Sequence, residues 1–130
     1  MADISHRNDI IRLVDTFYNK ALTDEEIGHI FSQTIAHRLE AHLPRIYDFW
    51  ESALFHTATY KGNPMLVHID LNKTIPLHAS HFDRWITLWN QTVEELYDGE
   101  IATAAISKAA MMKDLMIYKI RKSSDPGFIQ

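Results

Sequence analysis

The stretch Tyr60-Lys61-Gly62-Asn63-Pro64-Met65-Leu66-Val67-His68-Ile69-Asp70-Leu71 decides the reading of this chain. Gly62 breaks a loop. Asn63-Pro64 pairs a capping side chain with a ring suited to the first helical position, so a helix of one or two turns starts there. His68 follows within an apolar turn, which sets one imidazole to meet a metal. Upstream lie Phe17-Tyr18 and His42-Leu43-Pro44. With Tyr18 and His42 as partners, the arrangement suggests a haem site inside a helical protein.

Working outward, the chain reads as helices throughout. Ile10, Leu13, Val14, Phe17, Tyr18 and Ala21 form the 3.6-residue stripe of an amphipathic helix over residues 8–21. Thr23 or Asp24 can cap a second, short helix carrying Ile27, Ile30 and Phe31. A third covers about residues 36–55, with Leu39, His42, Leu43, Ile46, Phe49, Trp50, Ala53 and Leu54 inward. Pro44 removes a hydrogen bond from it, so its regular part is expected to begin near Leu43. Residues 56–63 and 71–78 read as loops around a short helix at 64–70. Ser80 to Asp83 resembles a capping box that opens a helix over 80–97 with Phe82, Trp85, Ile86, Trp89, Val93, Leu96 and Tyr97. Asp98-Gly99 stops it. A last helix from Glu100 to about Lys119 is rich in alanine and methionine, which suits close packing and adaptable filling. The expected organisation is one domain over residues 1–130, with its core at about 8–120 and a C-terminal tail at 121–130.

Composition sets the limits. A chain of 130 residues can bury roughly two-thirds of its unfolded surface. A net charge of −4 opposes an extended nucleic-acid surface, which needs clustered Lys and Arg. Cysteine is absent, which removes disulfides, thiolate metal sites and covalent haem attachment. No apolar run approaches the ~18 residues of a membrane span and no signal-peptide core is visible, so a soluble, cytoplasmic protein without membrane contact is expected. Eight histidines are many for this length, but only position separates a site from a surface.

Other chemistries fit poorly. A carboxylate-bridged di-iron bundle needs two Glu-x-x-His pairs, and Glu26-x-x-His29 supplies one. The His-Glu-x-x-His signature of zinc proteases is missing. His78 and His81 flank a helix start and read as a solvated cap region. The few glycines are too scattered for a phosphate loop, and no serine sits in a nucleophile-elbow context.

Several ordered blocks resemble one family. They are Phe17-Tyr18; His42-Leu43-Pro44-Arg45 with Asp48-Phe49-Trp50; Tyr60 and Gly62-x-Pro64 before His68; and His81-Phe82-Asp83-Arg84-Trp85. In order and separation they are similar to the truncated haemoglobins, most of all to the third group of these short bacterial globins, over roughly residues 10–118. The first two groups carry Gly-Gly pairs near early helix ends, and this chain has none. The resemblance implies an all-α, compressed globin fold, a two-on-two helical sandwich around haem. Helices 36–55 and 80–97 would be its main walls, completed by the first and last helices.

It also implies roles, residue by residue. His68 matches the proximal iron ligand of a b-type haem, with its other ring nitrogen donating to a backbone carbonyl. His78 is the alternative. Tyr18 matches the distal tyrosine, whose O–H would donate to the negative charge a bound gas acquires. Phe17, about 100° away on the helix, borders the same pocket. Trp85 matches the distal tryptophan, a donor only, and Trp89 serves as its structural control. His42 matches the distal histidine position, either bordering the pocket or swinging out to open a route. Ile46, Phe49 and Trp50 share the His42 face and, with Phe31, would pack on the porphyrin. Arg45, Lys61, Tyr60 and His81 are candidates for the propionates.

The function so implied is binding of dioxygen, or of nitric oxide or carbon monoxide, in a polar distal pocket. Storage, sensing or redox chemistry is expected ahead of simple carriage or oxygen transport. One alternative is a nitric oxide dioxygenase or peroxidase-like enzyme, dependent on an external reductase because no flavin or nicotinamide segment is visible. Another is a non-haem helical interaction module, against which the joint presence of His68, Tyr18 and Trp85 argues.

Overall fold

The computed structural model of the chain describes residues 1–34 and 39–123. These form six helices and no strand: α1 (Arg7–Ala21), α2 (Gly28–Thr34), α3 (Leu39–Phe55), α4 (Pro64–Thr74), α5 (Ala79–Leu96) and α6 (Glu100–Ser123). The all-α expectation holds. α1 buries Ile10, Leu13, Val14, Phe17 and Ala21, the stripe marked out by the helical period. It packs against α3 and α5, while α6 packs against α5, α4 and α3. Ala102, Ala105 and Ala109, spaced by three and four residues, are buried along α6 and let its backbone come close to its neighbours.

The centre of the core is aromatic. Trp89 stacks on Trp50 with centroids 4.5 Å apart and planes 18° apart. Phe17 meets Trp89 edge-on at 5.4 Å. The Trp89 indole N–H donates to the Ala105 carbonyl at 3.1 Å, which satisfies the one polar atom this ring takes into the core. At the chain start, the Asp3 carboxylate accepts from the Ile101 and Ala102 N–H groups at 2.9 and 2.8 Å, capping α6 from a distant part of the sequence. Gly99 stands between them at φ +143°, where a Cβ would lie 2.5 Å from the Asp3 carboxyl carbon. Only glycine serves both the turn and that approach.

Four boundaries differ from the sequence reading. α3 does not wait for Leu43; it is continuous from Leu39 through Pro44. Pro44 and Glu40 are both exposed, so water can satisfy the carbonyl that the missing N–H releases, while Trp50 and Leu54 bury farther along. α4 runs a turn beyond 70, and Asn72 lies inside it rather than in a loop. Its Oδ1 accepts the Leu77 N–H at 2.8 Å, so the polar side chain that looked like a loop marker ties down the short 75–78 connection. α5 opens at Ala79 with His78 as N-cap, not at a Ser80–Asp83 box. α6 includes residues 121–123 of the expected tail, and residues 124–130 lie outside the described residues. Residues 35–38, where α3 was expected to start, lie outside them too.

Candidate functional site

A cavity of about 710 Å³ opens between the helices. Its walls are assembled from Phe17 and Tyr18 of α1, Phe31 of α2, the inner face of α3, the loop before α4, and the facing sides of α4, α5 and α6. All eleven residues nominated from the sequence border it: Phe17, Tyr18, Phe31, His42, Arg45, Ile46, Phe49, Trp50, Tyr60, His68 and Trp85. Lys61 and His81 join them. His78, the alternative ligand, is exposed and does not line the cavity.

His68 is held by the start of its own helix. Asn63 Oδ1 accepts the Leu66 N–H at 3.1 Å, and Pro64 occupies the first turn. One turn on, His68 Nδ1 lies 2.6 Å from the Pro64 carbonyl, an acceptor that can take only an N–H. The proton is therefore on Nδ1. Nε2 is the basic nitrogen, with no hydrogen-bond partner among the described residues. Burial pushes the His68 pKa below the usual histidine value, which keeps the ring neutral, as a metal ligand must be. The sequence expected this carbonyl contact.

Tyr18 and Trp85 are a second pair of unused groups. Burial raises the Tyr18 phenol above its usual pKa, so it stays an O–H donor. Neither its hydroxyl nor the Trp85 indole N–H has a hydrogen-bond partner among the described residues. Phe17 braces both, edge-on to Tyr18 at 5.4 Å and to Trp85 at 6.5 Å, and Phe31 meets Tyr18 at 5.4 Å. The control behaves differently. Trp89 also touches the cavity, but its N–H is spent on Ala105 and its ring is buried.

Around the mouth, Tyr60 meets Phe49 edge-on at 5.3 Å, and its backbone N–H donates to Ser52 Oγ at 3.0 Å. Burial raises the Tyr60 phenol pKa, and the nearby Arg45 guanidinium partly opposes this. Arg45 and Lys61 are exposed cations beside the cavity. The sequence reading passed over Asp48, Leu71, Leu77, Phe82, Met112 and Met116 as lining residues. Met112 and Met116 lie one turn apart on α6, a spacing that marks a helix face but not what the face meets.

The cavity falls in the size range of organic cofactor sites, about 300–1,000 Å³. Its aromatic walls, neutral histidine and rim cations suit a flat apolar macrocycle with acidic substituents. Among the described residues no group of three or more His, Asp or Glu side chains could hold a metal alone.

Residues 3–118 match the bacterial-like globin family, and the chain belongs to it. Globins bind haem and, at its iron, a diatomic gas; that is the general function of this protein. More particularly, it is similar to the group 3 truncated haemoglobin of Campylobacter jejuni, with 27% identity over 120 residues that span 88% of this chain and 92% of that protein. The crystal structure of group III truncated haemoglobin from Campylobacter jejuni shares its fold, with a TM-score of 0.83 at 24% identity over 97% of this chain and 100% of that one. Among the described residues, no helix is long and apolar enough to cross a membrane.

Proposed function

We propose that this protein binds haem b through His68 and receives dioxygen, or a similar diatomic gas, beside Tyr18, Trp85 and His42. One observation carries the reading. A single aromatic cavity brings together a neutral imidazole with an uncommitted Nε2 and two donors on its wall, Tyr18 O–H and Trp85 N–H, that no described residue uses. A ligand in the cavity that accepts from them would gain charge-assisted hydrogen bonds in surroundings poor in water, where such bonds are strong.

When bound, haem would supply an iron able to bind a gas, and His68 Nε2 would hold it. The chain does the rest. The Pro64 carbonyl fixes the His68 tautomer and ring orientation. Phe31, Ile46, Phe49 and Trp50 exclude water, which strengthens every polar contact inside. Arg45, Lys61 and the Tyr60 hydroxyl would hold the propionates. Tyr18 and Trp85 donate to a ligand that gathers negative charge. Two donors exceed what reversible carriage needs, which favours a second reading, redox chemistry on the gas with an external reductant, as in nitric oxide dioxygenation or peroxidase-like turnover.

Absorption spectra of the purified protein, oxidised, reduced and with carbon monoxide, test the assignment when repeated for His68→Ala. An intense Soret band that shifts with carbon monoxide, and is lost or altered in the variant, is the expected result. An unchanged spectrum in the variant would move the ligand, with His78→Ala next. No uptake of added hemin would sink the haem reading and leave a helical interaction module.

A further inference from the structure

Three histidines lie in series where α2 meets the start of α5. The His81 ring is 5.7 Å from that of His29 on α2, and 5.1 Å from that of His78, the N-cap of α5. The contact has a defined protonation state. The His78 backbone N–H donates to His81 Nδ1 at 3.1 Å, and that nitrogen can accept only while the His81 ring is neutral. One turn beyond His81, Trp85 lines the cavity, and Ile30 and Phe31 of α2 line it too. The α2–α5 joint therefore borders the cavity.

A second, permanent tie crosses the same joint. Arg84 Nε and Nη2 donate to Asp24 Oδ1 at 3.0 and 2.8 Å, and Asp24 Oδ2 accepts the N–H groups of Glu26 and Ile27 just before α2. One tie keeps its charge across the physiological range, and the other depends on a neutral His81 imidazole. We propose that His81, set between His29 and His78, is a proton-operated latch between α2 and α5, shut while its ring is neutral and released on acidification, so that the cavity edge opens.

Protonating His81 acts in two ways in one direction. It removes the acceptor for the His78 N–H. It puts a positive charge in the first turn of α5, at the positive end of the helix dipole. Burial, His78 and His29 all depress the His81 pKa below 6.5, and Glu26 opposes them. The other charged groups at the joint are Glu25, which acts with Glu26 on Arg84, and Asp83, which pairs with Lys113 of α6 at 3.2 Å. The sign follows. The open state takes the proton more readily than the shut one, so closure is complete above the usual histidine range and is lost as pH falls through it.

Hydrogen–deuterium exchange of the haem-loaded protein at about pH 5.5 and about pH 7.5 tests the latch, with α1 as internal reference. At the lower pH, amides of residues 28–34 and 79–85 should exchange about threefold faster or more relative to α1. His81→Gln, whose amide oxygen can accept the His78 N–H without titrating, should abolish the difference, and His29→Gln should reduce it. No difference in the unaltered protein, or an undiminished one in His81→Gln, overturns the latch. If His81→Gln does not fold, His29→Gln decides, an unchanged difference again overturning it. The consequence for ligand access rests on the haem reading and is measured separately, as the carbon monoxide association rate. Acceleration at low pH supports gating, and a flat rate with faster exchange overturns it. Failure to take up haem would show in the Soret band, apart from either result.

Discussion

Tyr18 and Trp85 are where single atoms decide behaviour. A hydrogen bond from Tyr18 to a charged ligand is worth about 1.5–3 kcal/mol. Tyr18→Phe should therefore speed dioxygen dissociation about tenfold or more, read by stopped-flow replacement with carbon monoxide. A fast off-rate that the substitution leaves unchanged would refute the distal role. Because burial holds the phenol pKa above 10.0, donation and a slow off-rate should persist as pH rises toward that value. Two tryptophans one turn apart should respond in opposite ways. Trp85→Phe should alter ligand kinetics and leave stability nearly intact. Trp89→Phe should cost about 1–3 kcal/mol in chemical denaturation, because it removes the buried indole bond to the Ala105 carbonyl and leaves a gap in the stacked core. The sequence paired these residues only as candidate and control. The hydrogen bond to Ala105 separates them, and it spans sixteen positions of chain that no local pattern reports.

At the scale of elements, α4 shows how a cap reaches the site. Asn63 holds the first turn, the first turn presents the Pro64 carbonyl, and that carbonyl orients His68. Asn63→Ala should cost about 1 kcal/mol in stability. It should also quicken haem loss to a scavenging globin, since the ring it orients becomes freer to turn. A normal haem-loss rate with lowered stability would confine Asn63 to folding. The Asn63-Pro64 start was legible because capping is local. The end of α4 was not, because Asn72 suits a loop in isolation and is drawn into the helix by burial of Ile69 and by its bond to Leu77. α3 taught the same lesson at Pro44. A penalty of a few kcal/mol ends an isolated helix, yet packing of Trp50 and Leu54 carries this one through.

For the whole molecule, the ties between distant segments set how acid acts. Hydrogen bonds from Arg84 hold the Asp24 carboxyl below 3.8, burial opposing and the N–H groups of Ile27 and Glu26 assisting. A depressed folded-state pKa means the stabilisation is whole above the unfolded value and fades as pH falls through the folded one. Asp24→Asn should thus lower the melting temperature near neutrality, with the gap to the unaltered protein closing toward about pH 3. A constant gap across the scan would show that Asp24 works by shape rather than charge. Arg7, which pairs with Asp48 and Glu51 at 2.9 Å each, clasps α1 to α3 through groups that all keep some contact with water and should matter less, about 0–1 kcal/mol.

By itself the sequence determined the helical class, the apolar stripe of α1, the cap before His68 and the family blocks. Each depends on spacing within one or two turns, the range over which a helix repeats itself. It also named the residues that meet in the cavity, though only through their order along a family pattern. Tertiary structure decided what spacing cannot encode. It committed the Trp89 N–H to the core and left that of Trp85 unpaired, turned Met112 and Met116 toward the cavity, seated Asp3 on the start of α6, and set His29 against His81. Those are contacts between segments far apart in the chain, and their geometry exists only once the helices have packed.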